Sequence, residues 1–178
     1  MLELSRFDCL GDALRDRTIM YKSNLALIEA DRHREKGRWS YPQLGDQAER
    51  VAAKLQAAGV EPGERVAILM SNQAKWVISG LGALWAGAVL VPLDYKLTAS
   101  EQLALLAHCR PRALVTEYGI WRSLLKYSSG ELQAIQAQVS EAPAEADLGG
   151  ADRWESWPEG DFAYRARKRQ DVACIVYS

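Results

Sequence analysis

A chain of 178 residues, 48% hydrophobic and 25% charged, has room for one full core and the balance of an ordinary globular domain. Its 22 basic and 23 acidic side chains leave a net charge of -1, which gives no overall electrostatic reason to expect nucleic acid or an anionic membrane as partner. Cys9, Cys109 and Cys174 are odd in number and widely spaced, so neither a disulfide framework nor a CxxC metal site is indicated, and a reducing, cytoplasmic setting is expected.

Near the N-terminus Asp8, Asp12 and Asp16 lie among arginines, with no apolar run of signal-peptide length, so a secretory leader is not expected. Leu10, Ala13, Leu14 and Arg17 have helical spacing, and Leu25 to Ile28 reads as a strand. Polar residues 31–37 then form a loop before a second strand, Arg38 to Tyr41. Ser40 and Gln43 make a capping box with Pro42 in the first turn, which starts a helix whose apolar stripe is Leu44, Ala48, Val51, Ala52 and Leu55. Gly59 ends it, and Glu61 to Glu64 turns the chain into Val66 to Met70, apolar throughout as in a parallel strand buried on both faces.

Ser71 or Asn72 is the expected cap of the next helix, Gln73 to Ala86, whose small residues suit close packing. The stretch Trp76 to Leu93 is uncharged and near the ~18-residue minimum for a membrane-spanning helix. Gly87 and Pro92 interrupt it, so helix, turn and buried strand, Ala88 to Val91, is the better reading and no transmembrane segment is expected. A second capping box, Thr98 with Glu101, opens a helix with Leu103, Leu106 and Ala107 inward, closed by Arg110-Pro111. Ala113 to Val115 is a strand, and Ile120, Trp121, Leu124 and Leu125 mark a helix.

Leu132 to Val139 is ambiguous between helix and strand. Residues 141–170 read as a long surface loop pinned by Trp154, Trp157 and Phe162, with the basic run Arg165, Arg167, Lys168 and Arg169 solvated. Val172 to Tyr177 returns to buried-strand character. Alternating strands and helices imply a doubly wound, mostly parallel α/β sheet flanked by helices, with a short strand pair ahead of it, in a single α/β subdomain over residues 1–178.

Few residues carry chemistry. Gly80, Gly82 and Gly87 do not fit GxGxxG and fall inside a helix, which favours packing over dinucleotide binding, and GxxxxGK[ST], HExxH and GxSxG are absent. His33 and His108 have no assignable partner, and the three cysteines have no neighbouring base. Asp94, Tyr95 and Lys96 follow a parallel strand, on the side where open α/β sheets bind ligands, although an ordinary surface turn is the better reading of them. No catalytic and no metal-binding residue is assigned.

Three segments carry a resemblance. The run from Trp39 to Asn72 is similar to the opening T-Y-x-E-L helix and G-V-x-x-G-D-x-V-A strand of the AMP-forming acyl-adenylating enzymes, the acyl-CoA ligases and peptide-synthetase adenylation domains. Gly82 to Glu101, GALWAGAVLVPLDYKLTASE, resembles that family's A-G-A-x-x-V-P-L segment, and Asp171 to Ser178 looks like the run-in to Y-[ST]-S-G-T-T-G-x-P-K-G, its phosphate loop. Tyr95 stands where proline is common, and Gln43 where glutamate is usual.

The resemblance implies the N-terminal part of an ATP-dependent acid-thiol ligase, whose complete form joins a carboxylic acid, a fatty acid foremost, to AMP and then to coenzyme A. Magnesium would assist there, and the remainder of the parent enzyme would be this chain's partner. Ser178 is the one cofactor-binding candidate, as the first hydroxyl of the phosphate loop, and the chain alone is expected to be inactive with no cofactor of its own. Two alternatives stand beside it: a non-catalytic interaction domain, with self-association through an exposed sheet edge, and a flavodoxin-like binder of FMN or nucleotide.

Overall fold

The capping boxes read at Ser40 and Thr98 place two of the helices. In the computed structural model, which describes residues 4–156 and 162–177, a short 3₁₀ turn at Leu4–Arg6 leads into α1, Leu10–Met20. Strands β1, Leu25–Ala30, and β2, Glu35–Ser40, pair antiparallel. Their connection is shorter than residues 31–37, because Asp31 Oδ1 accepts the N–H groups of His33 and Arg34 at 2.8 and 3.0 Å and closes a tight turn. Tyr41 belongs to the following helix, α2, Tyr41–Ala57, since Ser40 serves as its cap. The Ser40 N–H donates to Gln43 Oε1 at 2.9 Å, the Gln43 N–H donates to Ser40 Oγ at 3.4 Å, and the predicted stripe from Leu44 to Leu55 is buried.

Strand β3 is Arg65–Leu69, helix α3 is Ala74–Trp85 and strand β4 is Val89–Pro92. The turn between α3 and β4 needs Gly87, whose φ is +79° and whose missing Cβ would lie 3.1 Å from the Arg165 Cβ. Among the described residues, no helix is long and apolar enough to cross a membrane. Neither Ser71 nor Asn72 caps α3. Gln73 occupies the N-cap position, and the free Ala74 N–H is satisfied by Glu29 Oε2 of β1 at 2.8 Å, a partner 45 residues away that no local signal reveals.

Helix α4, Ala99–Cys109, has the Thr98–Glu101 capping box, with Thr98 N–H to Glu101 Oε2 at 2.8 Å. Its buried stripe is Gln102, Leu103, Leu106 and Cys109, and Ala107 is exposed, about 100° round the helix from Leu106. Gln102 can be buried because its amide donates to the carbonyls of Tyr95 and Leu97. Strand β5, Ala113–Glu117, helix α5, Tyr118–Tyr127, strand β6, Gln136–Ser140, and the two-residue strand β7, Asp152–Arg153, complete the elements.

Strands β3 to β7 form one parallel sheet in the order β4-β3-β5-β6-β7, which is the doubly wound architecture expected. Helices α2 and α3 cover one face, over Val66, Ile68, Leu90 and Val115, and α1 and the β1–β2 pair pack outside them. Helices α4 and α5 cover the other, over Ala67, Leu69, Val91 and Leu114. The chain moves from β3 out to β4, then back across β3 to β5. Right-handed crossovers require the connecting helix to change faces when the direction reverses, so α3 and α4 lie on opposite sides of the sheet.

Tertiary contacts resolve or overturn four readings of the second half. The ambiguous stretch turns until Ile135 and then becomes β6, in register with β5 from Ala113–Gln136 to Glu117–Ser140. Residues 141–170 are more than a surface loop, since β7 joins the sheet and Trp154 is buried with its indole N–H on Ser79 Oγ at 3.0 Å. Trp157 lies outside the described residues. Val172 to Tyr177 is no buried strand. It touches β4 at one bridge, Leu90–Cys174, and Val172 and Val176 are 55% and 72% exposed because among the described residues nothing lies against their outer side. Arg165 and Arg169 are likewise anchored to backbone carbonyls and not simply solvated.

Candidate functional site

The reversal of winding leaves a crevice between the carboxyl ends of β3 and β5, the position where ligands enter open α/β sheets. Three polar side chains converge there. Glu117, the last residue of β5, accepts through Oε2 from Ser71 N–H at 3.3 Å, Ser71 Oγ at 2.8 Å and Gln73 Nε2 at 2.8 Å. Below them Thr116 Oγ1 donates to Leu69 O at 2.6 Å, and Ser140 Oγ donates to Thr116 O at 3.3 Å, so the strand ends are stitched together. On one side a groove of about 290 Å³ is lined by Leu27, Glu29, Asn72, Gln73, Trp76 and Val77. Beyond β6, Lys75 Nζ lies 3.2 Å from both Glu141 and Glu155. Burial pushes the Glu155 carboxyl up, but the Glu141 N–H and the Lys75 ammonium outweigh it and hold the group below the usual glutamate value.

This edge does not suit a phosphate. An anion would seek the free N–H groups at the start of α3, and the Glu29 carboxylate already holds one of them, with Glu117 beside it on Ser71 and Gln73. Two carboxylates at a helix N-terminus satisfy the dipole themselves and repel a second anion. Among the described residues, no group of three or more His, Cys, Asp or Glu side chains could hold a metal ion.

The residues singled out from the sequence are scattered around this edge. Asp94 at the end of β4 closes on itself, Oδ1 accepting the Lys96 N–H at 2.8 Å while the Lys96 ammonium lies 5.8 Å from the Tyr95 ring centre, so the triplet is a self-contained turn. His33 is exposed on the β1–β2 turn. His108 gains a partner that the sequence did not indicate, since Nδ1 lies 2.7 Å from the Tyr177 hydroxyl, 69 residues further on. Cys109 is buried, which pushes its thiol up, and Cys174 is exposed. Ser178 lies outside the described residues. Sequence reasoning missed Glu29 and Glu117, whose only signal was a carboxylate at a strand and at a strand end.

The fold and its polar crevice define a doubly wound α/β unit, an architecture that takes ligands at the carboxyl edge of its sheet. The AMP-binding enzyme family matches residues 15–178, and the chain belongs to that family. A 3-[(3aS,4S,7aS)-7a-methyl-1,5-dioxo-octahydro-1H-inden-4-yl]propanoyl:CoA ligase of Mycobacterium tuberculosis (strain ATCC 25618 / H37Rv) is 33% identical over 160 residues, covering 86% of this chain and 30% of the relative. The long-chain-fatty-acid–CoA ligase FadD13 of Mycobacterium tuberculosis (strain CDC 1551 / Oshkosh) is 33% identical over 143 residues, covering 80% of this chain and 26% of that protein. A mutant form of coronafacic acid ligase from Pectobacterium brasiliense has the same fold, with a TM-score of 0.80 at 21% identity over 94% of this chain and 33% of its own. The chain thus spans less than a third of the length of the two curated relatives.

Proposed function

We propose that the chain is the N-terminal α/β subdomain, residues 1–178, of an ATP-dependent ligase that joins a carboxylic acid, foremost a fatty acid, to coenzyme A by way of an acyl-adenylate. The family match from residue 15 to residue 178 carries this reading, and relatives named as CoA ligases support it. A carboxylate is a poor acylating agent because oxide is its leaving group, and conversion to a mixed anhydride with AMP supplies a leaving group that a thiol can displace. In this reading the described residues are scaffold. They build the sheet against which the phosphate-binding segment sits, and Ser178 is its first hydroxyl, while the carboxylates Glu29 and Glu117 keep the α3 N-terminus closed to anions.

The same reading makes the 178-residue chain inactive by itself. Incubated with ATP, magnesium and a panel of aliphatic and aromatic acids, it releases no pyrophosphate, whereas the complete ligase does so with at least one acid. Turnover by the chain alone above background refutes the scaffold assignment. No acid-dependent pyrophosphate release from the complete protein refutes the ligase.

A further inference from the structure

Residues 172–177 lie beside β4 with little to hold them. Among the described residues, two backbone bonds join them to the sheet, Leu90 N–H to Ala173 O at 3.0 Å and Ile175 N–H to Leu90 O at 2.9 Å, and alternate side chains face solvent. A segment with two ladder bonds at a sheet edge frays unless its ends are fixed.

Both ends are fixed here. Upstream, the arginines at every second position, 165, 167 and 169, reach separate anchors. Arg165 donates to the Val60 carbonyl at 3.3 Å and to Glu61 Oε2 at 3.0 Å, and its backbone N–H donates to Trp85 O at 3.1 Å. Gly87 lets that backbone approach, because a Cβ there would meet the Arg165 carbonyl at 3.2 Å. Arg167 pairs with Asp171 at 3.3 Å, and Asp171 Oδ2 also accepts the Lys168 N–H at 2.9 Å, which fixes the turn into the segment. Arg169 donates through one nitrogen to the carbonyls of Ser5 and Phe7 at 3.0 and 3.1 Å. Downstream, Tyr177 is held by His108. Guanidinium groups suit this task, since each can reach two acceptors at once and stays charged at any working pH.

We infer that Arg165, Arg167 and Arg169 form a strap that holds residues 172–177 against β4. The strap is a property of the described residues and does not depend on the ligase reading. It predicts that the segment loosens when the strap is cut while the sheet stays intact.

The test is amide hydrogen exchange on the 178-residue chain without nucleotide, comparing Arg165→Gln/Arg169→Gln with Arg38→Gln, an exposed arginine on β2, as control. The expected result is an increase of about tenfold or more in exchange of the Leu90 and Ile175 amides, with the β3 and β5 amides unchanged and partial restoration in Arg165→Lys/Arg169→Lys. Unchanged exchange at Leu90 and Ile175 overturns the strap, and so does an equal rise across β3 and β5, which would show general destabilisation. Because no catalysis is measured, failure of the ligase reading leaves this result unaffected.

Discussion

Replacing Gly82 by alanine tests the claim that the glycines of α3 serve packing. Helices α2 and α3 cross so closely at Gly82 that an added Cβ would lie 2.7 Å from both Cβ and Cγ1 of Val51 and 2.9 Å from the Ala48 carbonyl oxygen. A rotamer change could move Cγ1, but Val51 Cβ and the Ala48 oxygen belong to the backbone frame of α2, so the helices must part. Overpacking of this kind costs roughly 1–3 kcal/mol. Alanine recovers up to about 1 kcal/mol of helix propensity, and because the clash is with rigid atoms we take the upper range and expect a net loss of about 2 kcal/mol. Gly80, two residues earlier, supplies the control. A Cβ there meets only Leu90, Trp76 and Ile68 at 3.7 to 3.9 Å, ordinary contact, so Gly80→Ala gains about 0.5–1 kcal/mol from propensity. Urea unfolding followed by tryptophan fluorescence reads both, with the slope unchanged and the midpoint moved down for Gly82→Ala and up for Gly80→Ala. Equal stability of Gly82→Ala and the parent chain, or losses of the same size at both positions, refutes the packing argument.

The cap assignments separate in the same assay: Thr98→Ala and Glu29→Ala each cost about 1 kcal/mol, and Asn72→Ala stays within about 0.5 kcal/mol because Glu29 caps α3 in its place. Gln138 is buried with neither amide atom hydrogen-bonded among the described residues, so Gln138→Met stabilises the fold by about 1 kcal/mol, checked by thermal and urea melts. For Glu155 the folded value lies below the unfolded value of 4.5, so its contribution is present above that pH and is lost as pH falls through the folded value. A melting series from about pH 6 to 3 should therefore fall less steeply in Glu155→Gln. Thiol labelling under native conditions reaches Cys174 first, and Cys109 reacts only once the chain unfolds, since burial both shields its thiol and raises it; comparable rates at the two sites would contradict the packing of α4.

The sequence alone determined the elements whose signals are local. The capping boxes at Ser40 and Thr98 bring donor and acceptor within three residues, the α2 stripe follows a 3.6-residue period, and β3 is apolar from Val66 onward because both its faces are covered. The family resemblance was legible for the same reason, since its three segments are contiguous runs. What only the tertiary structure decided are features whose two halves lie far apart in the chain. Glu29 caps α3 from 45 residues away, Glu117 joins Ser71 across the crevice from 46, and β6 becomes a strand because β5 offers a register, as β7 does because β6 offers one. Residues 172–177 show the converse: their apolar composition predicts burial, but burial needs a second surface, and among the described residues β4 supplies only an edge. Local free energies select helix, turn and cap within a few residues, whereas a carboxylate or an edge strand acquires its role only when folding brings its partner within hydrogen-bonding distance.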